Sequence, residues 1–316
     1  MEFRPYTAIV MALLFGLIFF ASVKVFWLPP LQTEYPKTVS VPQGSTVSQT
    51  AYTLSSARVI SSEFLFKLWV SIISKNGVHA GTYYVGWPSN PLYLAYRMAN
   101  GDPGVEPVKF LVVEGSSIEE IGILCEAKLL GCTKESFKKS AIGKEGYLFP
   151  DTYNVLPTIS PEELVQMMES NFTSKLRDIS SKVEGFNKPI GDVITMASII
   201  EKEARTPETR RLVSSVLWKR IQIGMALQVD AVFVYSIGKD SSELRESDLS
   251  KDSPYNTYTR RGLPPTPIGN PGLDSIISAV EPTSSPYLYY LTGKDGKFYF
   301  AVTHEEHVRN KELYLR

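Results

Sequence analysis

The sequence has 316 residues, which is enough for two or three domains. Lysine and arginine together number 33, as do aspartate and glutamate, so the formal net charge is zero. This balance excludes the broad basic field by which many proteins hold nucleic acid. The hydrophobic fraction of 43% is that of a globular protein with substantial cores.

The two cysteines and three histidines do not form a recognisable metal or disulfide pattern. Cys125 and Cys132 lie seven residues apart, within or just after one helix. A single bridge is possible if the domain is extracytoplasmic, but this spacing favours free thiols. His79, His304 and His307 are too few and too scattered for a typical zinc site. We therefore expect no metal and no other cofactor.

An apolar segment at residues 7–28 predicts a membrane-spanning helix. Residues 7–23 contain no charge, and Lys24 lies near the end of the segment, where its ammonium group can reach the interface. A cleaved signal peptide is the alternative, but the apolar run is long and no small-x-small cleavage site precedes Pro29. We expect residues 1–6 in the cytoplasm, an uncleaved anchor, and a linker at residues 29–37.

A duplicated unit follows the linker. The Gly-Ser turn at residues 44–45 recurs at 115–116, and the segment GTYYV at 81–85 recurs as DTYNV at 151–155. Each copy reads as a short strand that ends in the Gly-Ser turn, two helices, and a strand rich in tyrosine and valine. This order is typical of small LysM-like modules that bind carbohydrate. A duplicated structural unit that binds nothing fits the same pattern.

The segment MASIIEKEA at residues 196–204 predicts a helix with a carboxyl group at the edge of an apolar stripe. The stripe follows helical spacing and consists of Val193, Met196, Ala197, Ile200 and Ala204. Glu201 borders the stripe, whereas Glu203 lies about 200° further round, on the more solvated side. A carboxyl group in an apolar setting has a raised pKa and can act as general acid on a glycosidic bond. A surface glutamate whose stem packs on the helix edge is the alternative.

Three further stretches, at 145–155, 226–238 and 255–272, combine aromatic, amide and turn residues. The last contains four prolines and three glycines, which predicts an ordered loop without regular structure. Tyrosine and asparagine side chains on a rigid loop suit sugar binding, because aromatic faces pack on pyranose rings and amides bind hydroxyl groups. A turn-rich connection without a binding role is the alternative.

These stretches, with EPTSSPYLYYLTGKDGKFYFAVTHEEH at 281–307, resemble the endolytic murein transglycosylases, the MltG or YceG-like family. The resemblance covers roughly residues 38–310 and agrees with the anchor. It implies a single-pass lyase of the bacterial cytoplasmic membrane whose catalytic domain is extracytoplasmic. Such an enzyme cuts the MurNAc-β-1,4-GlcNAc bond in nascent peptidoglycan, leaves 1,6-anhydroMurNAc ends and terminates strand elongation. The implied partners are peptidoglycan strands and the synthases or other proteins of the divisome or elongasome.

The resemblance also implies a catalytic glutamate in the IIEKE stretch, which we assign to Glu201 as the single general acid and base. Further residues are expected to line the cleft and orient the sugar: Gln228, Asp230, Tyr255, Asn256 and Tyr258. Asp230 and Glu145 have an alternative role as structural residues that cap or bind backbone amides.

The predicted fold is α+β. It comprises the transmembrane helix, a small LysM-like α/β module at residues 38–107, and a mixed α+β catalytic domain at 108–316 that begins with the second copy and includes a C-terminal β-hairpin and a polar helix. Two other functions fit the sequence. One is a hydrolytic muramidase that uses Glu201 with Asp230 or Glu145. The other is a non-catalytic, anchored scaffold that binds glycan for the wall-synthesis machinery.

Overall fold

A computed structural model describes residues 5–26, 34–239 and 243–315 of the chain. The chain separates into two compact units, Met1–Val108 with Val155–Ile159 and Lys109–Asn154 with Ser160–Arg316. The architecture is mixed α+β, and each of its sheets is two-stranded in the part of the chain that is described.

The N-terminal helix α1 (Pro5–Phe26) covers most of the segment for which the sequence predicts an anchor. Among the residues whose side chains are described, no helix is both long and apolar enough to span a membrane. Trp27 and Leu28, at the end of the predicted anchor, and most of the predicted linker lie outside the described residues.

The first unit continues with one copy of the duplicated element. Its parts are β1 (Lys37–Val41), α2 (Val47–Ser56), α3 (Glu63–Ile73), β2 (Gly81–Val85) and α4 (Pro91–Ala99). The two strands are antiparallel, and Val39 stands opposite Tyr83. Both of these side chains are buried in the core of the unit together with Leu54 and Phe66. The strand–helix–helix–strand order is as predicted, while the resemblance to a LysM module stays a prediction.

The second copy begins the second unit and repeats the same order. Its parts are β3 (Val108–Leu111), α5 (Ile118–Lys128), α6 (Lys134–Ser140) and β4 (Thr152–Val155), and β3 pairs with β4. Helix α5 begins at a capping box, in which the Ser117 hydroxyl accepts from the amide of Glu120 and the Glu120 carboxylate accepts from the amide of Ser117. The Ser and Thr residues after the repeated Gly-Ser turns therefore act as helix caps, as the sequence predicts.

The prediction of free thiols is wrong, because Cys125 and Cys132 form a disulfide. Helix α5 ends before Leu129, which is extended, and the chain then reverses at Gly131, whose φ of 78° is in the left-handed region. This reversal brings the two Cα atoms to 5.8 Å, which is within the range that a disulfide spans. A spacing of seven residues therefore permits a bridge once a helix end and a glycine turn lie between the cysteines.

The remainder of the second unit is mainly helical. It consists of α7 (Pro161–Asp178), α8 (Ser180–Gly185), α9 (Ile190–Glu203), α10 (Pro207–Gln222), α11 (Ala231–Ile237), α12 (Glu246–Leu249), α13 (Leu273–Val280), β5 (Tyr289–Thr292), β6 (Phe298–Ala301) and α14 (His304–Tyr314). Helix α9 is the central element, since α10, α11 and α13 all pack against it. The five residues of the predicted apolar stripe are buried, so the predicted stripe is confirmed.

The C-terminal hairpin is also confirmed. Strands β5 and β6 are antiparallel, with Tyr290 opposite Phe300, and α14 packs on both strands. Residues 255–272 contain no helix and no named strand, as the glycines and prolines predict; Arg261 alone forms an isolated bridge, to Ala226.

Candidate active site

The last turn of α9 carries both glutamates of the IIEKE stretch, and their side chains enter different surroundings. Helix α9 ends at Glu203, and Ala204 is already extended. Because successive helical residues are rotated by about 100°, Glu201 and Glu203 leave the helix on nearly opposite sides. Each carboxyl group can therefore be assessed from its own partners.

Glu201 is held by a guanidinium group and a backbone amide. Its Oε1 accepts from Nη2 of Arg210 at 2.5 Å, and its Oε2 accepts from the amide of Gly272 at 2.9 Å. Its side chain is only 5% exposed. Arg210 also donates from Nε to the carbonyl of Ala204, which fixes the guanidinium at the end of α9. Glu201 therefore has a guanidinium group and a backbone amide as partners, so the apolar setting expected for it is not what surrounds it.

The turn of the second repeat packs beside Glu201. The amide of Gly115 donates to the carbonyl of Asn270 at 2.7 Å, and the amide of Asn270 donates to the carbonyl of Ser116 at 2.9 Å. A Cβ atom on Gly115 would come within 3.3 Å of both Glu201 Cγ and Lys202 Cε. The proline-rich loop, residues 255–272, and the second repeat are thus joined through buried Asn270 on the Glu201 side of α9.

Glu203 lies beside the C-terminal hairpin and is half-buried, so the prediction that it occupies the more solvated side of the helix stays a prediction. Its Oε2 accepts from the hydroxyl of Tyr290 at 2.9 Å. Burial is the main cause that raises its pKa, to about 7, and the negative charge of Asp230 raises it further. Hydrogen bonds from Tyr290 and from the amide of Ala231 lower the pKa but do not offset burial. Glu203 therefore exchanges a proton near neutral pH, as a general acid and base requires.

Glu203 lines a cavity of about 790 Å³. This volume is in the range of small-molecule sites in proteins. The cavity lies within the second unit, and its walls come from the end of α9, α10, the start of α11, the hairpin and α14. Its lining consists of Lys202, Glu203, Arg220, Gln228, Asp230, Ala231, Val234, Tyr258, Tyr289, Tyr290, Leu291, Thr292, His304, His307, Lys311 and Leu315.

Three of the predicted cleft residues, Gln228, Asp230 and Tyr258, line this cavity together. The hydroxyl of Tyr258 donates to Oδ1 of Asp230 at 2.5 Å, so this phenol and carboxylate form a pair. Gln228 has a φ of 51°, a left-handed conformation that is unusual for a residue with a side chain. Its amide donates to the carbonyl of Thr257, which helps to hold this strained turn in place.

The other two predicted cleft residues, Tyr255 and Asn256, are not part of the cavity lining. Asn256 is buried; its amide nitrogen donates to the carbonyls of Leu249 and Lys251, and its amide oxygen accepts from the amide of Tyr258. This side chain organises the loop. The hydroxyl of Tyr255 forms a hydrogen bond with Thr266 Oγ1 at 2.7 Å, within the same proline-rich loop.

Glu145, in the EGYLFPDTYNV stretch, is a structural cap in this geometry. Both of its carboxylate oxygens accept from the amide of Ile118, the first residue of α5, at 3.2 Å. Oε1 also accepts from Asn270 Nδ2 at 3.3 Å. Burial raises the pKa of Glu145 to about 7. Of the two roles left open for Glu145, these contacts favour the structural one.

The sequence did not indicate Arg220 or Tyr290 as site residues. Arg220 is buried on α10, and its guanidinium donates to the carbonyls of Leu288 and Leu227 at 2.7 Å each. It thereby connects the hairpin to the strained turn before Asp230. Nothing in the local sequence of α10 distinguishes this arginine from its neighbours. Tyr290 lies in the YLYYL run, whose density of aromatic residues is a usable signal.

No group of three or more histidine, cysteine, aspartate or glutamate side chains is arranged to hold a metal ion among the described residues. The cavity instead offers carboxyl, phenol, amide and cationic groups around an open volume, which is the chemistry of a site for a polar organic ligand.

Fold and site together define an α+β protein with a duplicated βααβ unit and a tyrosine-lined cavity that contains a proton-exchanging carboxyl group. The YceG-like family model matches residues 39–313. The chain belongs to the YceG-like family.

Relatives of known name and structure agree with this membership. The chain is 31% identical to the endolytic murein transglycosylase of Bacillus subtilis, over 91% of this chain and 88% of that protein. It is 29% identical to the endolytic murein transglycosylase of Streptococcus pneumoniae D39, over 86% of this chain and 57% of that longer protein. A 2.6 Å crystal structure of a yceG-like protein from Listeria monocytogenes superposes with a TM-score of 0.60 at 30% identity, covering 88% of this chain and 99% of that one.

Proposed function

We propose that this chain is a lytic transglycosylase that cleaves the MurNAc-β-1,4-GlcNAc bond within peptidoglycan strands and leaves 1,6-anhydroMurNAc ends. Relatives named endolytic murein transglycosylase are about 30% identical over most of the chain, and they support a lyase of this class. Peptidoglycan is the matching substrate.

The observation that carries the mechanism is the Glu203 carboxyl group, which faces the cavity and has a pKa raised to about 7 by burial. In its protonated form, Glu203 donates a proton to the glycosidic oxygen as the bond from that oxygen to C1 of the muramic acid breaks. The ionised carboxylate then takes the proton of the C6 hydroxyl, whose oxygen forms the new bond to C1. No water enters the product, so one carboxyl group can serve both steps.

The assignment of this role to Glu201 stays a prediction, and the geometry favours Glu203 over it. Both carboxyl oxygens of Glu201 are already engaged, one by Arg210 and one by the amide of Gly272. Burial and the neighbouring carboxylate of Asp230 both raise the pKa of Glu203, and its side chain lines the cavity. We propose that Asp230 and Tyr258, which line the same cavity, orient the sugar beside it.

A hydrolytic muramidase is the second candidate, because Asp230 lines the same cavity as Glu203 and could activate a water molecule. Against this role, the Asp230 carboxylate already accepts from the hydroxyl of Tyr258. Product mass separates the two functions, since an anhydro end is one water lighter than a hydrolysed end.

The decisive experiment is digestion of isolated glycan strands by wild type, Glu203→Gln and Glu201→Gln, with products analysed by mass spectrometry. We expect anhydro ends from wild type and a loss of about a hundredfold or more in Glu203→Gln, the usual range for removal of an acid–base group. Glu201→Gln is the matched control, because it makes the same change on the same helical turn. If Glu201→Gln abolished cleavage while retaining its fold and Glu203→Gln did not, the catalytic assignment would return to Glu201.

We also propose that residues 38–107 bind glycan in the manner of a LysM module and that residues 108–316 form the catalytic domain. The βααβ order of β1, α2, α3 and β2 supports the first assignment. Trp87, which is 60% exposed just after β2, offers an aromatic face for a sugar ring. Trp87→Ala should weaken retention of the protein on insoluble peptidoglycan without changing its thermal midpoint. Unchanged retention would exclude Trp87 as a binding residue.

Four further properties are proposals that rest on the sequence and its family resemblance. They are membrane attachment at residues 7–28, an extracytoplasmic catalytic domain, association with peptidoglycan synthases and termination of strand elongation. Fractionation of cells that express the chain with and without its first 28 residues tests the anchor. Recovery of both forms in the soluble fraction would contradict it.

A further inference from the structure

One wall of the cavity is a face of α14 that carries a lysine and two histidines, and burial lowers the pKa of one of these, His307. His304, His307 and Lys311 line the cavity at intervals of three and four residues, so they share one side of the helix. The acidic residues of α14 are absent from the lining, as far as the described residues define it. One of them, Glu306, is occupied as a helix cap, where it accepts from the amide of Val302 at 2.9 Å. This face of α14 is therefore basic, although the helix as a whole carries both charges.

Two cationic residues from other helices, Arg220 and Lys202, also line the cavity. The guanidinium carbon of buried Arg220 lies 5.3 Å from the centre of the Tyr289 ring, and Lys202 lines the cavity from the end of α9. The lining thus includes three basic side chains, Lys202, Arg220 and Lys311, in addition to the two histidines. Its two acids are Glu203, assigned above to proton transfer, and Asp230, which is paired with Tyr258. The basic groups are consequently in excess of the carboxylates that could neutralise them.

We propose that this face of α14, together with Arg220, forms a subsite for a carboxylate carried by the muramic acid substituent of the substrate. The inference rests on the proposed function, because it concerns the same cavity. Muramic acid bears a lactyl ether at O3, and the lactyl carboxyl group is either free or extended by a peptide that ends in carboxylates. The sugar that presents C1 to Glu203 therefore also brings an anionic group into the cavity.

The cavity has room for this arrangement. Its volume of about 790 Å³ lies in the upper part of the range for small-molecule sites, so it can hold a sugar with a substituent. Glu203 and Asp230 belong to the end of α9 and the start of α11, whereas His304 and Lys311 belong to α14. Proton transfer and anion recognition would thus be assigned to separate elements of one site.

Lys311→Gln tests the subsite, and Arg309→Gln is its matched control. Both residues are exposed cations of α14, but only Lys311 lines the cavity. The full chain is assayed on three substrates: peptide-bearing strands, peptide-free strands with a free lactyl carboxylate, and peptide-free strands with that carboxyl group converted to an amide. We expect Lys311→Gln to raise KM by about threefold to fivefold on strands that carry the recognised carboxylate, as for a solvent-accessible ion pair. Lys311→Arg should restore the wild-type KM.

The three substrates distinguish the source of the carboxylate. A larger KM on peptide-bearing strands alone identifies the peptide carboxylates, whereas a larger KM on both carboxylate-bearing kinds of strand identifies the lactyl group. If Lys311→Gln changed KM no more than Arg309→Gln on every substrate, or changed it equally on the amidated strands, the subsite would be refuted.

Failure of the subsite can be separated from failure of the proposed function. Binding of uncleaved strands is measured in a Glu203→Gln background, with and without Lys311→Gln. If wild type produced no anhydro ends while Lys311→Gln still weakened binding, the function would fail and the subsite would stand. If wild type produced anhydro ends while Lys311→Gln and Arg309→Gln bound and reacted alike, the function would stand and the subsite would fail.

Discussion

The hydroxyl of Tyr290 on the C-terminal hairpin donates a hydrogen bond to the carboxyl group of Glu203, the last residue of α9. The two residues are 87 positions apart in the chain, and both are half-buried. The hairpin therefore closes over the end of the helix that carries the candidate acid, which makes it part of the site.

Removal of this hydroxyl should change the titration of Glu203. The hydrogen bond from Tyr290 lowers the pKa of Glu203, so Tyr290→Phe should raise it and shift the alkaline limb of the pH–activity profile upward. We also expect kcat to fall by about tenfold, because the carboxyl group loses a fixed orientation. Tyr287→Phe, which alters a tyrosine outside the cavity lining, is the control. A fall in kcat with no shift of the limb would mean that Tyr290 acts only through packing.

The activity of the wild type should decline as the pH rises through about 7. Glu203 must be protonated to donate to the glycosidic oxygen, and burial raises its pKa to about 7, so the reactive form is lost above that value. The measurement is kcat/KM between pH 5 and pH 9 on isolated strands. A profile that stays flat through this interval would show that a group other than Glu203 controls the reaction.

The free energy of unfolding should also depend on pH, and the sign of this dependence follows from two carboxyl groups whose pKa values are raised. Burial raises the pKa values of Glu145 and Glu203 from 4.5 to about 7. The folded state therefore binds protons more tightly than the unfolded state. The resulting stabilisation is fully present below about pH 4.5 and is lost as the pH rises to about 7. Urea unfolding should give a shallower pH dependence for Glu145→Gln than for wild type over this interval, and an equal dependence would contradict the raised pKa of Glu145.

Glu201→Gln should weaken the fold. The substitution leaves the largely buried Arg210 without its ionised partner, and loss of one member of a buried pair costs about 3 kcal/mol. Thermal and urea unfolding measure this cost, while the activity per folded molecule reports on catalysis. Because Lys202→Gln changes an exposed neighbour on the same turn, it should have little effect on stability. A fully stable Glu201→Gln protein would show that the ion pair contributes nothing net.

The disulfide should contribute to the free energy of unfolding, and a reductant should remove this contribution. Closure of the short loop between Cys125 and Cys132 restricts the unfolded chain, and its loss should lower the free energy of unfolding by about 2 kcal/mol. Urea unfolding of wild type and of the double Cys→Ser variant, each with and without reductant, measures the difference. The double variant should not respond to reductant. If wild type also failed to respond, the thiols would not be paired in the isolated protein.

Much of the fold could be predicted from local patterns. The repeated Gly-Ser turns and their Ser and Thr caps locate α2 and α5, and the five-residue stripe locates the buried face of α9. These features depend on hydrogen bonds and spacing within a few residues. The disulfide was not predicted, because it depends on where α5 ends and on the backbone angle of a single glycine, Gly131.

The site was also predicted only in part, because some of its contacts join residues that are distant in the sequence. Gln228, Asp230 and Tyr258 were expected in a cleft from their residue types and do line one cavity. The surroundings of Glu201 and Glu203 could not be read from periodicity. Periodicity gives the direction in which a side chain leaves a helix, and the partners come from Arg210 on the next helix and Tyr290 on the distant hairpin.

The two copies of the Gly-Ser turn have different surroundings. A Cβ atom on Gly44 would meet no other atom within 4 Å, whereas one on Gly115 would press on Glu201 and Lys202. Both glycines have a positive φ, so backbone geometry disfavours replacement in each. Only the second is also confined by its neighbours. Replacement should therefore cost more at Gly115 than at Gly44, so of the two copies of the turn, the one that packs at the candidate catalytic helix should be the more strictly retained among relatives.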